Sequence, residues 1–329
     1  MEKTASQQEL EQSTVGKGLM RAMRVHRYGG PQELRCEDIP VPALGPTDIL
    51  VKVNAASVNP IDYKLASGAL RPVLNNKAAP LPWIPGCDFS GVVEQVGENV
   101  LSFRRGDEVY GNAPSGGAYA QFLAVPAAHL APKPQRIKFI EAASVPVAGL
   151  TAWQALFDHG HLQEGQAVLI HGGAGGVGSF AVQLAHWMKA KVLATASGDH
   201  VDYLMELGAD AAIDYKTTPF ETVVKEVDMV LDLIGGETQE KSFKVIKEGG
   251  ILVSTVSVPS PQEGERYKVN ALMMTMKPSV DQLRQIGALL DEGLIKAHVS
   301  RVYPLTLAQE AWGDILARHT ESKIVLRVS

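Results

Sequence analysis

The hexapeptide Gly173-Ala174-Gly175-Gly176-Val177-Gly178 constrains this 329-residue chain more than any other segment. Glycine is common, so the pattern G-x-G-x-x-G says little by itself. Here it follows the apolar run Ala167-Val168-Leu169-Ile170. It precedes a stretch in which Ala181, Leu184, Ala185 and Met188 recur at helical spacing. A strand, a glycine turn and a helix within a βαβ unit of about 30 residues is the setting in which this string cradles a dinucleotide. Each glycine then has a task. Gly173 permits the tight turn, Gly175 lets backbone approach a pyrophosphate, and Gly178 lets the helix pack close to the strand. The positive helix end and its unpaired N–H groups meet the phosphates. The alternative, a glycine-rich loop with no ligand, is disfavoured by that setting.

Further along, residues 191–196, 211–214, 229–233 and 251–254 read as buried strands separated by helical spacing. Asp199 is expected to cap a helix that buries Val201, Leu204 and Met205 and stops at Gly208. This alternation predicts an α/β fold with a doubly wound parallel sheet over residues 148–276. Upstream, residues 49–53, 91–96 and 107–110 read as short strands among glycine and proline turns, which predicts a compact β-rich domain. A helix over roughly 280–291 and strands at 299–303 and 323–326 follow. The last strand is expected to return to the first domain, so that domain comprises 19–147 with 277–329. Residues 1–18 are polar and predict a disordered or loosely held extension.

Composition excludes several classes. A net charge of −5 disfavours nucleic-acid and anionic-membrane surfaces, which need clustered Lys and Arg. No apolar run approaches the roughly 18 residues that span a bilayer. With only Cys36 and Cys87, neither a disulfide scaffold nor a thiolate-rich metal site can be built, and the cytoplasm is the expected compartment. The choice of dinucleotide rests on the end of the second Rossmann strand. NAD enzymes place an acid there for the ribose 2′-hydroxyl. This strand runs into Thr195-Ala196-Ser197-Gly198, which leaves room for a 2′-phosphate and favours NADPH. Asp199 stands at the spacing of the ribose acid, but reads better as a helix cap.

Several segments also resemble a known family. They are Gly45-Pro46-Thr47-Asp48-Ile49-Leu50-Val51-Lys52-Val53, Ala56-Ser57-Val58-Asn59-Pro60-Ile61-Asp62-Tyr63-Lys64 and Pro85-Gly86-Cys87-Asp88-Phe89-Ser90-Gly91. Gly106-Asp107-Glu108-Val109, Ala148-Gly149-Leu150-Thr151-Ala152 and the glycine loop complete the set. In this order they resemble the medium-chain dehydrogenase/reductase superfamily, and within it the zinc-free quinone oxidoreductase and alkenal/enone reductase branch. The resemblance runs from about residue 20 to the C-terminus. It implies a GroES-like catalytic domain, a Rossmann domain, NADPH as cofactor and a homodimer formed through the Rossmann sheet edge. Where the family's zinc enzymes carry metal ligands, this chain has Asn59 and Cys87-Asp88. His159 and His161 lack the third ligand a zinc site needs.

Without zinc no Lewis acid stabilises an alkoxide. Hydride transfer to an acceptor whose carbonyl is conjugated to C=C remains, since the acceptor itself spreads the developing charge. By resemblance, Tyr63 is the candidate donor to the oxyanion, Lys64 the candidate contact to the nicotinamide ribose, and Asn59 orients substrate or cofactor. Each also has a structural reading: a turn at Asn59-Pro60, packing for Tyr63, and a solvated charge for Lys64 on a short helix capped by Asp62. The resemblance places Thr151 near the nicotinamide or pyrophosphate. It places Ser197, His200, Tyr215 and Arg318 at the 2′-phosphate, and Leu233-Ile234-Gly235 along the cofactor edge. Met273 and Met274 line an adaptable pocket or pack in the core. An enoyl-thioester reductase and a non-catalytic NADPH-binding protein of the zeta-crystallin type remain open beside the quinone or enone reductase.

Overall fold

The computed structural model describes residues 18–70, 80–317 and 321–329. It divides into two units. The first runs to Pro146 and takes in Pro278–Gly287 and Val299–Ser329, and the second comprises Val147–Lys277 and Ala288–His298. The expected extension at 1–18 lies, apart from Gly18, outside the described residues.

The first unit begins with an antiparallel pair, β1 (Leu19–Val25) and β2 (Leu34–Pro40). Its main sheet is organised by β3 (Asp48–Val58), where Ile49, Leu50, Val51, Val53, Ala55 and Ala56 are all buried. Such a run, apolar on both faces, suits a central strand. Pro60 sits at the first position of helix α1 (Pro60–Ala66), where its missing N–H leaves no bond unmade. Then come β4 (Asp88–Val96), β5 (Glu108–Asn112), β6 (Phe122–Pro126) and β7 (Leu130–Pro132). β4 pairs antiparallel with β3, and β6 pairs with the first half of β3 on the other edge. Trp312, Tyr110, Tyr119 and Phe89 are the largest fully buried rings of this unit.

The second unit opens on helix α2 (Pro146–Trp153), which continues into a π-helical turn at Gln154–His159. Six strands follow: β8 (Ala167–His171), β9 (Lys191–Ala196), β10 (Ala211–Asp214), β11 (Val227–Asp232), β12 (Ile246–Ser254) and β13 (Asn270–Met273). Helix α3 (Gly176–Trp187) joins β8 to β9, and α4 (Val201–Glu206) lies between β9 and β10. The sheet is parallel throughout, in the order β10-β9-β8-β11-β12-β13. Chain direction across the sheet reverses at β8, which is where doubly wound sheets open a binding crevice. The predicted α/β class and Rossmann pattern are thus observed.

Helix α5 (Val280–Glu292) leads to β14 (Val299–Pro304) and β15 (Lys323–Arg327). β15 pairs antiparallel with the second half of β3, so the chain does end in the first unit. Residues 288–298 group with the second unit rather than the first. The tie is specific: the Gln183 amide donates to the Lys296 carbonyl at 3.0 Å and accepts from its N–H at 2.8 Å. Two local expectations are corrected. Met205 is exposed, and Leu204 and Leu207 are the buried residues of that turn. Asp199 is not the cap of α4, because the chain first makes a 3₁₀ turn, Gly198–His200, with Ser197 before it, and His200 then precedes Val201.

Candidate functional site

In the second unit the glycine loop joins β8 to α3. Gly172, just before the motif, takes the left-handed conformation (φ +72°), so the tight turn falls there and not at Gly173. Gly173 is required sterically, since a Cβ would come within 2.9 Å of Ala194 and Leu204. At Gly178 a Cβ would stand 2.2 Å from the Gly172 carbonyl oxygen, which fixes the close helix–strand approach. Gly175 precedes α3, and a Cβ there would meet nothing nearer than 3.4 Å, so the cradle is open on the side where phosphates would enter. Ala174 is buried, while Gly176 and Val177 are half-buried. This geometry fits a pyrophosphate held by the first-turn N–H groups of a twelve-residue helix.

A histidine that sequence reasoning did not single out anchors the loop. His171, fully buried at the end of β8, has Nδ1 3.1 Å from Thr195 Oγ1 and Nε2 3.0 Å from Ser242 Oγ. Ser242 already donates to the Thr238 carbonyl at 2.7 Å, so Nε2 carries the proton and Nδ1 accepts. Burial pushes His171 down to about 4, which keeps the ring neutral. Thr195 Oγ1 also accepts the Gly172 N–H at 3.3 Å, tying the loop to β9.

At the carboxyl ends of β9 and β10 the structure brings Ser197, His200 and Tyr215 together. The Tyr215 N–H donates to the Ala196 carbonyl at 3.1 Å, and the Tyr215 side chain is 59% exposed. Asp214, not weighed in the sequence, stands beside them. Its carboxylate accepts from Lys216 N–H and Thr217 Oγ1 and would lie 2.9 Å from a Cβ on Gly198. Arg318 lies outside the described residues. Thr151 is buried on α2 and donates to the Val147 carbonyl at 2.6 Å, so its hydroxyl proton is engaged within the helix.

β11 ends at Asp232, and this acid shapes the Leu233-Ile234-Gly235 turn. One oxygen accepts the N–H groups of Ile234 (3.0 Å) and Gly235 (2.8 Å). The other accepts from Gln239 Nε2 (2.8 Å) and Ser254 Oγ (2.9 Å). Ile234 is left exposed, and Gly235 has φ +79°. Met273 is exposed on β13, and Met274 is buried.

In the first unit the residues at the zinc-ligand positions form a buried polar cluster. Asn59, only 2% exposed, donates from Nδ2 to Asp88 Oδ2 (2.9 Å) and Ser57 Oγ (3.3 Å). Its Oδ1 accepts from Lys323 Nζ at 2.6 Å. Both ends of the Asn59 amide are therefore engaged inside the protein. Asn59 precedes α1, and Asp62 accepts its backbone N–H at 2.8 Å, so Asp62 closes the helix start from its third position rather than capping it. Asp62 Oδ2 also accepts from Tyr119 Oη (3.3 Å), which in turn accepts from Trp312 Nε1 (3.3 Å). The Asp62 Oδ1 atom is buried without a hydrogen-bond donor among the described residues. Burial pushes the Asp62 carboxyl up to about 7, and Asp88 adds to the effect. Burial also raises the Cys87 thiol and the Tyr119 hydroxyl well above their usual ranges, and it lowers the Lys323 ammonium. Among the described residues no group of three or more His, Cys, Asp or Glu is arranged to hold a metal ion. Tyr63 and Lys64, on α1, are half-buried, and the Tyr63 ring packs on the core.

Comparison with known proteins fits this geometry. Residues 45–135 match the alcohol dehydrogenase GroES-like domain, and residues 207–326 match a model described as zinc-binding dehydrogenase. A 2-methylene-furan-3-one reductase of Solanum lycopersicum is 36% identical over 93% of this chain and 79% of its own length. The NADPH-dependent alkenal/one oxidoreductase of Arabidopsis thaliana, a chloroplastic protein, is 34% identical with the same coverage. The solved quinone oxidoreductase of Coxiella burnetii aligns with a TM-score of 0.88 at 34% identity, covering 94% of this chain and all of that one. The chain belongs to the medium-chain dehydrogenase/reductase superfamily, in its quinone oxidoreductase and alkenal/enone reductase branch.

Proposed function

We propose that this chain is an NADPH-dependent reductase of quinones or α,β-unsaturated carbonyls that works without zinc. The observation that carries the reading is the Lys323 ammonium among Asn59, Asp88 and Ser57, where the family's zinc enzymes hold metal ligands. A fixed monovalent cation bonded to an amide leaves no open coordination position to polarise an alcohol. An acceptor that delocalises its own charge needs only a hydrogen-bond donor at oxygen.

Bound NADPH supplies the reducing hydride. The glycine loop and the first turn of α3 hold the pyrophosphate. Ser197, His200 and Tyr215 receive the 2′-phosphate, and the Asp232-braced turn supports the remaining cofactor edge. Tyr63 donates to the acceptor oxygen as charge develops there, and Lys64 holds the nicotinamide ribose. Two free thiols, Cys36 exposed and Cys87 buried, suit a reducing compartment such as the cytoplasm. No helix among the described residues is long and apolar enough to cross a membrane. β10 and β13 are the edges of the parallel sheet, and pairing through such an edge gives the proposed homodimer, which sedimentation would detect. The direct test is consumption of NADPH with a panel of quinones, alkenals and enones. No turnover with any of them would falsify the enzymatic reading.

A further inference from the structure

Lys323 opens β15 yet is 4% exposed, among the least accessible charged groups of the first unit. Withdrawing an ammonium from water is unfavourable unless neighbours replace its hydration. Here they are Asn59 Oδ1 at 2.6 Å and Asp88 Oδ2 at 3.7 Å. Asp88 Oδ2 also accepts from Asn59 Nδ2 and Ser57 Oγ, so the carboxylate and the ammonium grip opposite ends of one amide. Reversing that amide would set N–H groups against the ammonium, so its orientation is fixed. Asn59 is the residue between β3 and α1, and its backbone N–H is held by Asp62. The first turn of α1 is therefore pinned through the Asn59 side chain and the Asn59 backbone. Tyr63 and Lys64 are the next residues along the helix. A bond spanning 264 residues of sequence holds this corner, and a helix of seven residues depends on such tertiary ties.

We propose that Lys323 is a positioning residue for the reductase site, its buried ammonium fixing Asn59 and thereby the placement of Tyr63 and Lys64. The proposal rests on the proposed function for the roles of those two residues.

K323M alone strands the Asp88 carboxylate, so the informative variant is K323M/D88N, which removes both charges together. K323R keeps the charge but moves its donors. Three quantities are read: NADPH affinity by fluorescence, kcat and KM for an enone or quinone, and the 19F resonance of fluorotyrosine at Tyr63, assigned with Y63F. The double variant should bind NADPH at least threefold more weakly as Lys64 is displaced, and should keep the acceptor KM within threefold. Its kcat should fall at least tenfold, with a shifted or broadened Tyr63 resonance, and K323R should fall between. A purely structural lysine predicts wild-type kcat wherever the protein is folded. An unchanged Tyr63 resonance in either variant overturns the proposal, and K323R alone decides it if the double variant does not fold. Absence of turnover in the wild type sinks the functional reading, while the resonance still decides the positioning.

Discussion

At the scale of single residues, two buried ionisable groups give this chain opposing responses to pH. Asp62 titrates near 7 in the folded protein against 3.8 as an ordinary aspartate, because burial penalises its charge. The folded state therefore binds the proton more tightly than the unfolded one. The stability linked to Asp62 is fully present below 3.8 and is lost as pH rises to about 7, by on the order of 4 kcal/mol. His171 is displaced the other way, to about 4 from 6.5. Its contribution is fully present above 6.5 and is lost as pH falls to about 4, by roughly 3 kcal/mol. Between 4 and 6.5 the two slopes oppose each other, so the wild type should show a flattened profile. D62N should restore a stability that rises with pH over this interval, and H171Q one that falls. Urea unfolding at pH 4.5, 5.5 and 6.5 measures both, and parallel profiles for both variants and wild type would refute the assignment. Asp88, Lys323, Cys87 and Tyr119 all face Asp62, and the depressed Lys323 adds its own window below 10.5 on the alkaline side.

At the scale of elements, the sheet delivers its chemistry through strand ends. β8 ends in His171 with Gly172 next, β9 runs out into Ser197, β10 ends in Asp214 with Tyr215 next, and β11 ends in Asp232. Parallel order sets these exits side by side, as with the 3.1 Å bond from Tyr215 to Ala196. Asp232 is the brace of the fourth exit, because its four bonds tie β11 to its own turn, to Gln239 and to β12. In D232N one carboxylate oxygen becomes an N–H₂ group that faces donors. A buried charged hydrogen bond contributes about 1.5–3 kcal/mol, so D232N should lose on the order of 2 kcal/mol. NADPH affinity should weaken as the Leu233-Ile234-Gly235 turn loosens. Hydrogen exchange at the Ile234 and Gly235 amides reads the effect directly, and wild-type protection there would show that the turn holds without the acid.

At the scale of the whole molecule, the legible features were those encoded over short spans. Strand–helix alternation gave the parallel sheet, and G-x-G-x-x-G in its βαβ setting gave the loop. Lys323 was not legible, because a lysine opening a strand looks solvated until β15 is laid against β3, which no local period encodes. His171 and Asp232 were hidden for a related reason: at the end of an apolar run, sequence does not show whether a polar side chain turns to water or inward. Asp199 misled because a cap and one turn of 3₁₀ helix share the same residue types. The glycine loop is where the locally encoded pattern and the assembled molecule can be tested together. A ligand that binds only the folded state stabilises it by about 2.7 kcal/mol at 100 times Kd. NADPH at that level should raise hydrogen-exchange protection in β8 and β9 of the second unit by that amount. In G178A the new Cβ meets the Gly172 carbonyl, backbone that cannot swing aside, so α3 must shift away from the strand. An overpacking penalty of about 2 kcal/mol on the bound geometry weakens affinity roughly 30-fold. At the same NADPH concentration the added protection should then drop below about 1 kcal/mol. A full gain in G178A would mean that the cofactor does not depend on the close approach of α3 to the loop.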